Sequence, residues 1–300
     1  MKKAIKMVVI IFSSIFFLLL LLLIGGVNYI HSEVEETAGE PVTYFQAVKT
    51  ILNLNYDGEL ERKTKTSKDM QSYQNVSVYI DKQDNDLVPL IKDTIDWAKT
   101  KNKEILGDIK DRDVDIIFFN NEKDFQKIST LDSVSGYYDP FGLYIGIKID
   151  DKKGILNGKE TPLYFFQKSI LHEFTHYTFD RKVEGTKTPM NQYPLWFQEG
   201  VADYIANDRT IVEASDFEFV TYDQLRSYEQ WKTARKQDGT DVYDQSYFTI
   251  KFLIDKNGEN VIEDIIDATS NSGDFKKSFE DVTGLRYDTM LKRLKITLEK

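Results

Sequence analysis

The chain has no cysteine and only three histidines among its 300 residues. Disulfides, thiolate zinc sites and cysteine nucleophiles are therefore excluded, and any metal must be held by His, Asp or Glu. Basic residues are outnumbered, 39 Lys and Arg against 49 Asp and Glu, for a formal net charge of −10. That balance argues against nucleic acid as a partner, because phosphate neutralisation needs clustered cations. Internal repeats and low-complexity tracts are missing after the first thirty residues. What is present, 41% hydrophobic and 13% aromatic residues, is enough for a sizeable core and argues against disorder.

The amino-terminal segment stands apart. MKKAIK carries Lys2, Lys3 and Lys6, and the 21 positions from Met7 to Val27 carry no charge. At about 1.5 Å per residue such a helix reaches about 31 Å, the thickness of a bilayer's hydrocarbon core. Basic residues precede the span and none directly follows it, so the amino terminus is expected in the cytoplasm and the rest outside. The apolar run exceeds that of a signal peptide, and GGVNYIHSE is a poor cleavage site. The reading is a single-pass cell-membrane anchor, with a secreted product if the segment is cleaved. This gives a tail at 1–6, an anchor at 7–27 and a stalk at 28–70 with a helical patch near Tyr44 to Leu54. His31 reads as a solvated residue at the membrane face.

Two further segments are expected, 71–210 and 211–300. Strands are predicted at 76–80, 113–119 and 141–149, and helices at 86–106, 161–179 and 194–206. Thr161 is the expected N-cap of the 161–179 helix, with Pro162 at its first position. From Thr221 onward the pattern is helical, at 222–235, 242–256, 259–269, 273–281 and 287–299. Tyr164, Phe165, Phe166 and Phe174 read as core, and Glu213 to Glu218 as a solvated loop.

Two of the three histidines lie in ILHEFTHYTFD (170–180). Residues four apart share a helix face, so His172 and His176 can aim two imidazoles at one point. Neutral imidazole ligates zinc at about 2.1 Å. Glu173, rotated by one position, would flank the metal, where it can take a proton from a water acidified to a pKa of about 7. A third protein ligand is needed and must be a carboxylate. The helix 194–206 offers Glu199 as ligand, with Asp203 one turn later to accept the spare ring N–H of His172. Gly200 beside the ligand would let the two helices approach closely.

HEFTH followed by WFQEGVADY resembles the gluzincin zinc metallopeptidases. It is most similar to bacterial peptidase MA-like domains, and more distantly to thermolysin and the large zinc aminopeptidases, over roughly residues 75–300. The resemblance implies an α+β, zincin-like domain: a small mixed sheet and an active-site helix, then a helical carboxy-terminal half. It implies one Zn2+ per chain on His172, His176 and Glu199, with Glu173 as general base and Asp203 orienting a histidine. An edge strand expected within 136–149 would hold extended substrate, giving Gly136, Tyr137, Tyr144 and Gly146 as substrate-binding residues. Tyr243, with Tyr247 one turn on, matches the oxyanion-stabilising tyrosine of the aminopeptidase branch. Two features depart from the pattern: a 22-residue spacer between His176 and Glu199, and no GAMEN-type exopeptidase motif. The expected activity is therefore endopeptidase cleavage of a peptide or protein. The rival is a catalytically weak, zinc-binding anchored module acting as sensor or assembly partner.

Overall fold

The computed structural model describes residues 2–38, 41–53, 56, 58–129, 134–184, 186, 188–213 and 217–298. Position 1 of the expected tail lies outside these residues. So do 39–40, 54–55 and 57 of the stalk, 185 and 187 of the loop after the motif helix, 214–216 of the acidic loop, and 299 of the last helix. The chain divides into two compact units, Met1–Thr64 with Pro140–Leu143, and Lys65–Asp139 with Tyr144–Lys300.

The first unit holds α1 (Lys2–Ala38), α2 (Tyr44–Asn53) and most of α3 (Glu59–Thr66). Within α1, Ser14–Thr37 has a mean hydropathy of 2.0, and among the described residues it is the one helix long and apolar enough to cross a membrane. Beyond Val27, where the stalk was expected to begin, the helix continues unbroken to Ala38. Val34, Val42, Ala47 and Tyr56 form a small core with Phe141 packed on it. His31 is not solvated as expected. It is part-buried, stacked on Tyr44 at 4.1 Å, with Nε2 2.8 Å from the Val42 carbonyl.

The second unit is mixed α/β, built on a five-stranded sheet. Its strands are β1 (Asp69–Tyr73), β2 (Val76–Ile80), β3 (Val114–Phe119), β4 (Gly136–Asp139) and β5 (Tyr144–Lys148), in the order β1-β2-β3-β5-β4. β2, β3 and β5 run parallel, and the outer strands β1 and β4 are antiparallel to their neighbours. The strand expected at 141–149 is therefore the inner arm of a hairpin whose outer arm is β4. Between the arms, Leu143 takes φ = 52°, a left-handed conformation that costs a branched side chain energy and that the sequence does not announce.

The helices of this unit are α4 (Val88–Leu106), α5 (Glu122–Ser129), α6 (Lys152–Leu156), α7 (Glu160–Val183), α8 (Leu195–Ala206), α9 (Tyr228–Ala234), α10 (Val242–Asn257), α11 (Val261–Ser272), α12 (Phe275–Thr283) and α13 (Met290–Leu298). Two of the expected helices are broken: 222–235 by a 3-10 turn at Tyr222–Leu225 before α9, and 287–299 by one at Tyr287–Thr289 before α13. The cap of α7 is Lys159 and not Thr161, which lies inside the first turn.

One face of the sheet packs on α4 and α7. Val78, Ile116, Ile145 and Ile147 meet Ile91, Ile95, Phe166, Ile170, Phe174 and Tyr177. The 166, 170, 174, 177 row is a helical stripe, and it fixes which face of α7 looks at the sheet. Phe165 falls off that stripe and is 56% exposed, contrary to its expected place in the core. The other face carries a smaller cluster of Ile117, Phe119, Phe125, Tyr137 and Tyr144. A second large core of α8, α10, α11 and α12 is centred on Trp196, Phe197, Ile250, Leu253 and Phe279.

Candidate metal centre

α7 and α8 bring the site together. With its sheet-facing stripe committed, α7 turns His172 and His176 to another face, one turn apart. Their Nε2 atoms are 3.1 Å apart, with ring planes 75° to one another. From α8, Glu199 points both carboxylate oxygens at them: Oε2 is 3.3 Å from His172 Nε2, and Oε1 is 3.7 Å from His176 Nε2. One ligand atom from each of the three residues lies within 4.8 Å of the others. Two nitrogens bound at about 2.1 Å to a tetrahedral ion stand about 3.4 Å apart, a separation that the observed 3.1, 3.3 and 3.7 Å bracket. Two imidazoles and a carboxylate are also a borderline-soft N/O set that suits zinc. The donor set therefore fits a metal. The side chains remain 14–18% exposed, so the point of convergence is open to a small molecule.

Asp203 sits one turn beyond Glu199, with Oδ1 3.3 Å from His172 Nδ1. That contact leaves Nε2 of the same ring directed at the convergence point. Sequence reasoning missed a third partner, Lys168, whose Nζ is 3.2 Å from the same Asp203 oxygen. Its signal was its place one turn before His172. Lys168 keeps the 4%-exposed Asp203 compensated.

The charges are strongly coupled. Burial pulls His172 down, but hydrogen bonds to Asp203 and Glu199 outweigh it and leave the imidazole well above its usual range. Burial pushes Glu199 and Asp203 up. His176 and His172 outweigh it for the first, and His172 with Lys168 for the second, so both stay below the usual carboxylate range. His176 is lowered to about 4, chiefly by burial, and so stays neutral. A cation held at the convergence point would take over the proton's role between the carboxylates.

Glu173 differs from these in its partners. It is 8% exposed. Burial, then the charges of Glu199 and Asp203, act against the opposing pull of His172 and push it up to about 7. Its wall is the backbone of β4, where a Cβ built at Gly136 would lie 2.7 Å from Glu173 Cγ. Gly136 thus belongs to the site because it has no side chain.

The remaining expectations separate. Tyr137, Tyr144 and Gly146 lie away from the motif helix. Tyr137 and Tyr144 are 7% and 6% exposed in the cluster on the far face of the sheet. Gly146 leaves room for the Tyr137 ring, since a Cβ there would be 2.1 Å from Tyr137 Cε1. Tyr144 and Gly146 also lie on β5, which has neighbours on both sides. Tyr243 lies in the first turn of α10, packed edge-on against Trp231 at 5.1 Å with the Arg235 guanidinium 5.5 Å from its ring. Burial, followed by the Glu199 charge, raises its pKa. Tyr247 faces elsewhere, against Tyr204 and Phe248. Gly200 does permit a close approach, but to α10 and not to α7: a Cβ there would be 2.6 Å from the Ser246 carbonyl oxygen.

The sequence profile of one peptidase family, Peptidase M9 or collagenase, matches residues 46–294. The chain belongs to the collagenase family of zinc metallopeptidases. It supports the zinc metallopeptidase reading of the motifs, and the peptidase MA-like grouping is finer than this match reaches. The uncharacterized protein YhcO of Bacillus subtilis (strain 168) is 35% identical over 230 residues, covering 77% of this chain and 71% of that protein. Membership of a metallopeptidase family implies a metal and peptide or protein substrates, and the His172, His176, Glu199 group could hold that metal.

Proposed function

We propose that the chain is a membrane-anchored, extracytoplasmic zinc endopeptidase of gluzincin type. The observation that carries this reading is the convergence of His172, His176 and Glu199 within 4.8 Å, with the buried Glu173 beside them. The three would hold one zinc ion per chain, and Asp203, backed by Lys168, would orient His172. Bound there, zinc supplies a Lewis acid that polarises the scissile carbonyl and acidifies a water.

The protein groups do the rest. Glu173, pushed up to about 7, has a proton affinity suited to taking a proton from the attacking water and passing it to the leaving amine near neutral pH. Tyr243, kept protonated by burial, donates a hydrogen bond to the developing oxyanion. Substrate lies extended along β4, which pairs only with β5 among the described residues. The domain is zincin-like, with the catalytic segment at 71–210 and a helical segment at 211–300, and α1 is a single-pass anchor with its amino terminus in the cytoplasm.

The test uses the full chain in detergent. Wild type should carry about one zinc per chain and cleave casein or denatured collagen. Glu199→Ala should lose the metal. Glu173→Gln should keep it while its rate falls by about 10²–10⁴. Zinc-replete wild-type protein without hydrolysis would favour an anchored zinc-binding module, and full activity in Glu173→Gln would remove Glu173 as the base.

A further inference from the structure

We propose that Tyr138 and Asp180 are positioning residues that hold the peptide-binding edge of the sheet against the metal-site helix; the inference rests on the peptidase reading above. β4 is a weakly supported strand. It spans four residues, Gly136–Asp139, and among the described residues its ladder partner is β5. A peptide added along its outer side would take its position from it, so any lift or pivot of β4 moves the scissile bond relative to Glu173.

Side chains alternate along a strand, so Gly136 and Tyr138 face the same way. Both face α7. At Gly136 the backbone rests against the Glu173 side chain. At Tyr138 the phenol donates a hydrogen bond of 2.7 Å to Asp180 Oδ2. Glu173 and Asp180 are seven residues apart, two turns or about 10 Å along α7, and Gly136 and Tyr138 are about 7 Å apart along β4. The strand is thus fixed to the helix at two points. A single contact at Gly136 would leave it free to pivot about the residue that touches the base.

The acceptor is itself held. Arg181, 6% exposed, donates from Nη2 to the same Asp180 oxygen at 2.7 Å and from Nη1 to Glu184. Glu184 also receives Arg112 at 3.0 Å, from the segment that leads into β3. Edge-on packing of Tyr138 on Tyr177 at 6.1 Å fixes the ring. Tyr177 in turn donates to the Arg112 carbonyl at 2.6 Å. The bonds of this chain run through Tyr138, Asp180, Arg181, Glu184, Arg112 and Tyr177, and include neither the donor triad nor Glu173.

The experiment is Tyr138→Phe in the full zinc-loaded chain, assayed on a long extended peptide and on a dipeptide-sized substrate too short to lie along β4. Tyr222→Phe is the control, because it removes a buried phenol contact, to Thr249 at 2.7 Å, in the helical core. Tyr138→Phe should raise KM for the long peptide about tenfold while kcat changes less than about twofold, with zinc content and the short substrate unaffected. Asp180→Ala should do the same, and the double variant should be no worse than either single one. Unchanged KM in an active Tyr138→Phe enzyme, with a lowered melting temperature like that of Tyr222→Phe, would overturn the inference and leave the peptidase reading intact. A wild-type chain that cleaves neither substrate would remove both.

Discussion

Replacing Gly200 by alanine puts a methyl group where α8 and α10 already touch. The added carbon would lie 2.6 Å from the Ser246 carbonyl oxygen, 2.8 Å from Ile250 Cγ1 and 2.9 Å from the Ser246 carbonyl carbon. Two of these three neighbours are backbone, so rotamer changes cannot clear the overlap. Restoring an ordinary contact of about 3.4 Å requires the helices to part by roughly 0.8 Å. Overpacking of this kind costs about 1–3 kcal/mol. Against it stands the better helix propensity of alanine, about 1 kcal/mol. The net expectation is a loss of up to about 2 kcal/mol, read as a fall in melting temperature of about 2–8 °C. Glu199 is the adjacent residue and shares the displacement, which exceeds the spread among the 3.1, 3.3 and 3.7 Å donor contacts. Zinc affinity, measured by competition with a chromogenic chelator, should therefore fall by at least about tenfold. A Gly200→Ala protein that melts as high as wild type and holds zinc as tightly would refute the argument, because the helices would then have slack that the geometry denies.

Other changes separate the parts of the site. Asp203→Ala removes the acceptor on His172 Nδ1 and strands Lys168; zinc affinity should fall about 10–100-fold, with residual activity restored by saturating zinc. Gly146→Ala pushes on the Tyr137 ring from 2.1 Å. It should destabilise the second unit by about 1–3 kcal/mol in chemical denaturation, with no change in metal affinity if Tyr137 is purely a packing residue. Gly136→Ala acts on the opposite face of the sheet, and displacement of Glu173 should lower kcat by about 10²-fold while the zinc content of the purified protein stays at wild-type level.

Legibility in the sequence followed the strength of the periodic signal. β2 alternates cleanly, with Val76, Val78 and Ile80 buried and Ser77 and Tyr79 between them, and it was found within its bounds. α4 was found because its apolar positions recur at helical spacing and Gly107, at φ = 76°, stops it. β1, DMQSY, has no apolar period and exists because β2 offers it an antiparallel ladder, a tertiary cause that local reading does not reach. Of the β4–β5 hairpin only the strand at 141–149 was expected, because its turn puts a leucine, where glycine or asparagine is the usual signal, in the left-handed position.

At the site, spacing and composition carried most of the information. Three histidines and no cysteine leave few ways to build a metal centre, and i, i+4 pairs on two helices supply the proposed ligands and the group proposed to orient one of them. The substrate strand shows where that logic stops. Alternation says that Gly136 and Tyr138 share one face and Tyr137 the other, but it does not say which face meets α7. Gly136, Tyr137, Tyr144 and Gly146 were grouped because all four lie in the 136–149 stretch expected to hold the edge strand, and three of them turn away from the motif. Parity is resolved only when the 166, 170, 174, 177 stripe of α7 is laid on the sheet. That packing puts a bare glycine at Glu173 and a phenol on Asp180. Tyr138, rather than its neighbour Tyr137, is then the tyrosine whose loss should be felt by a bound peptide.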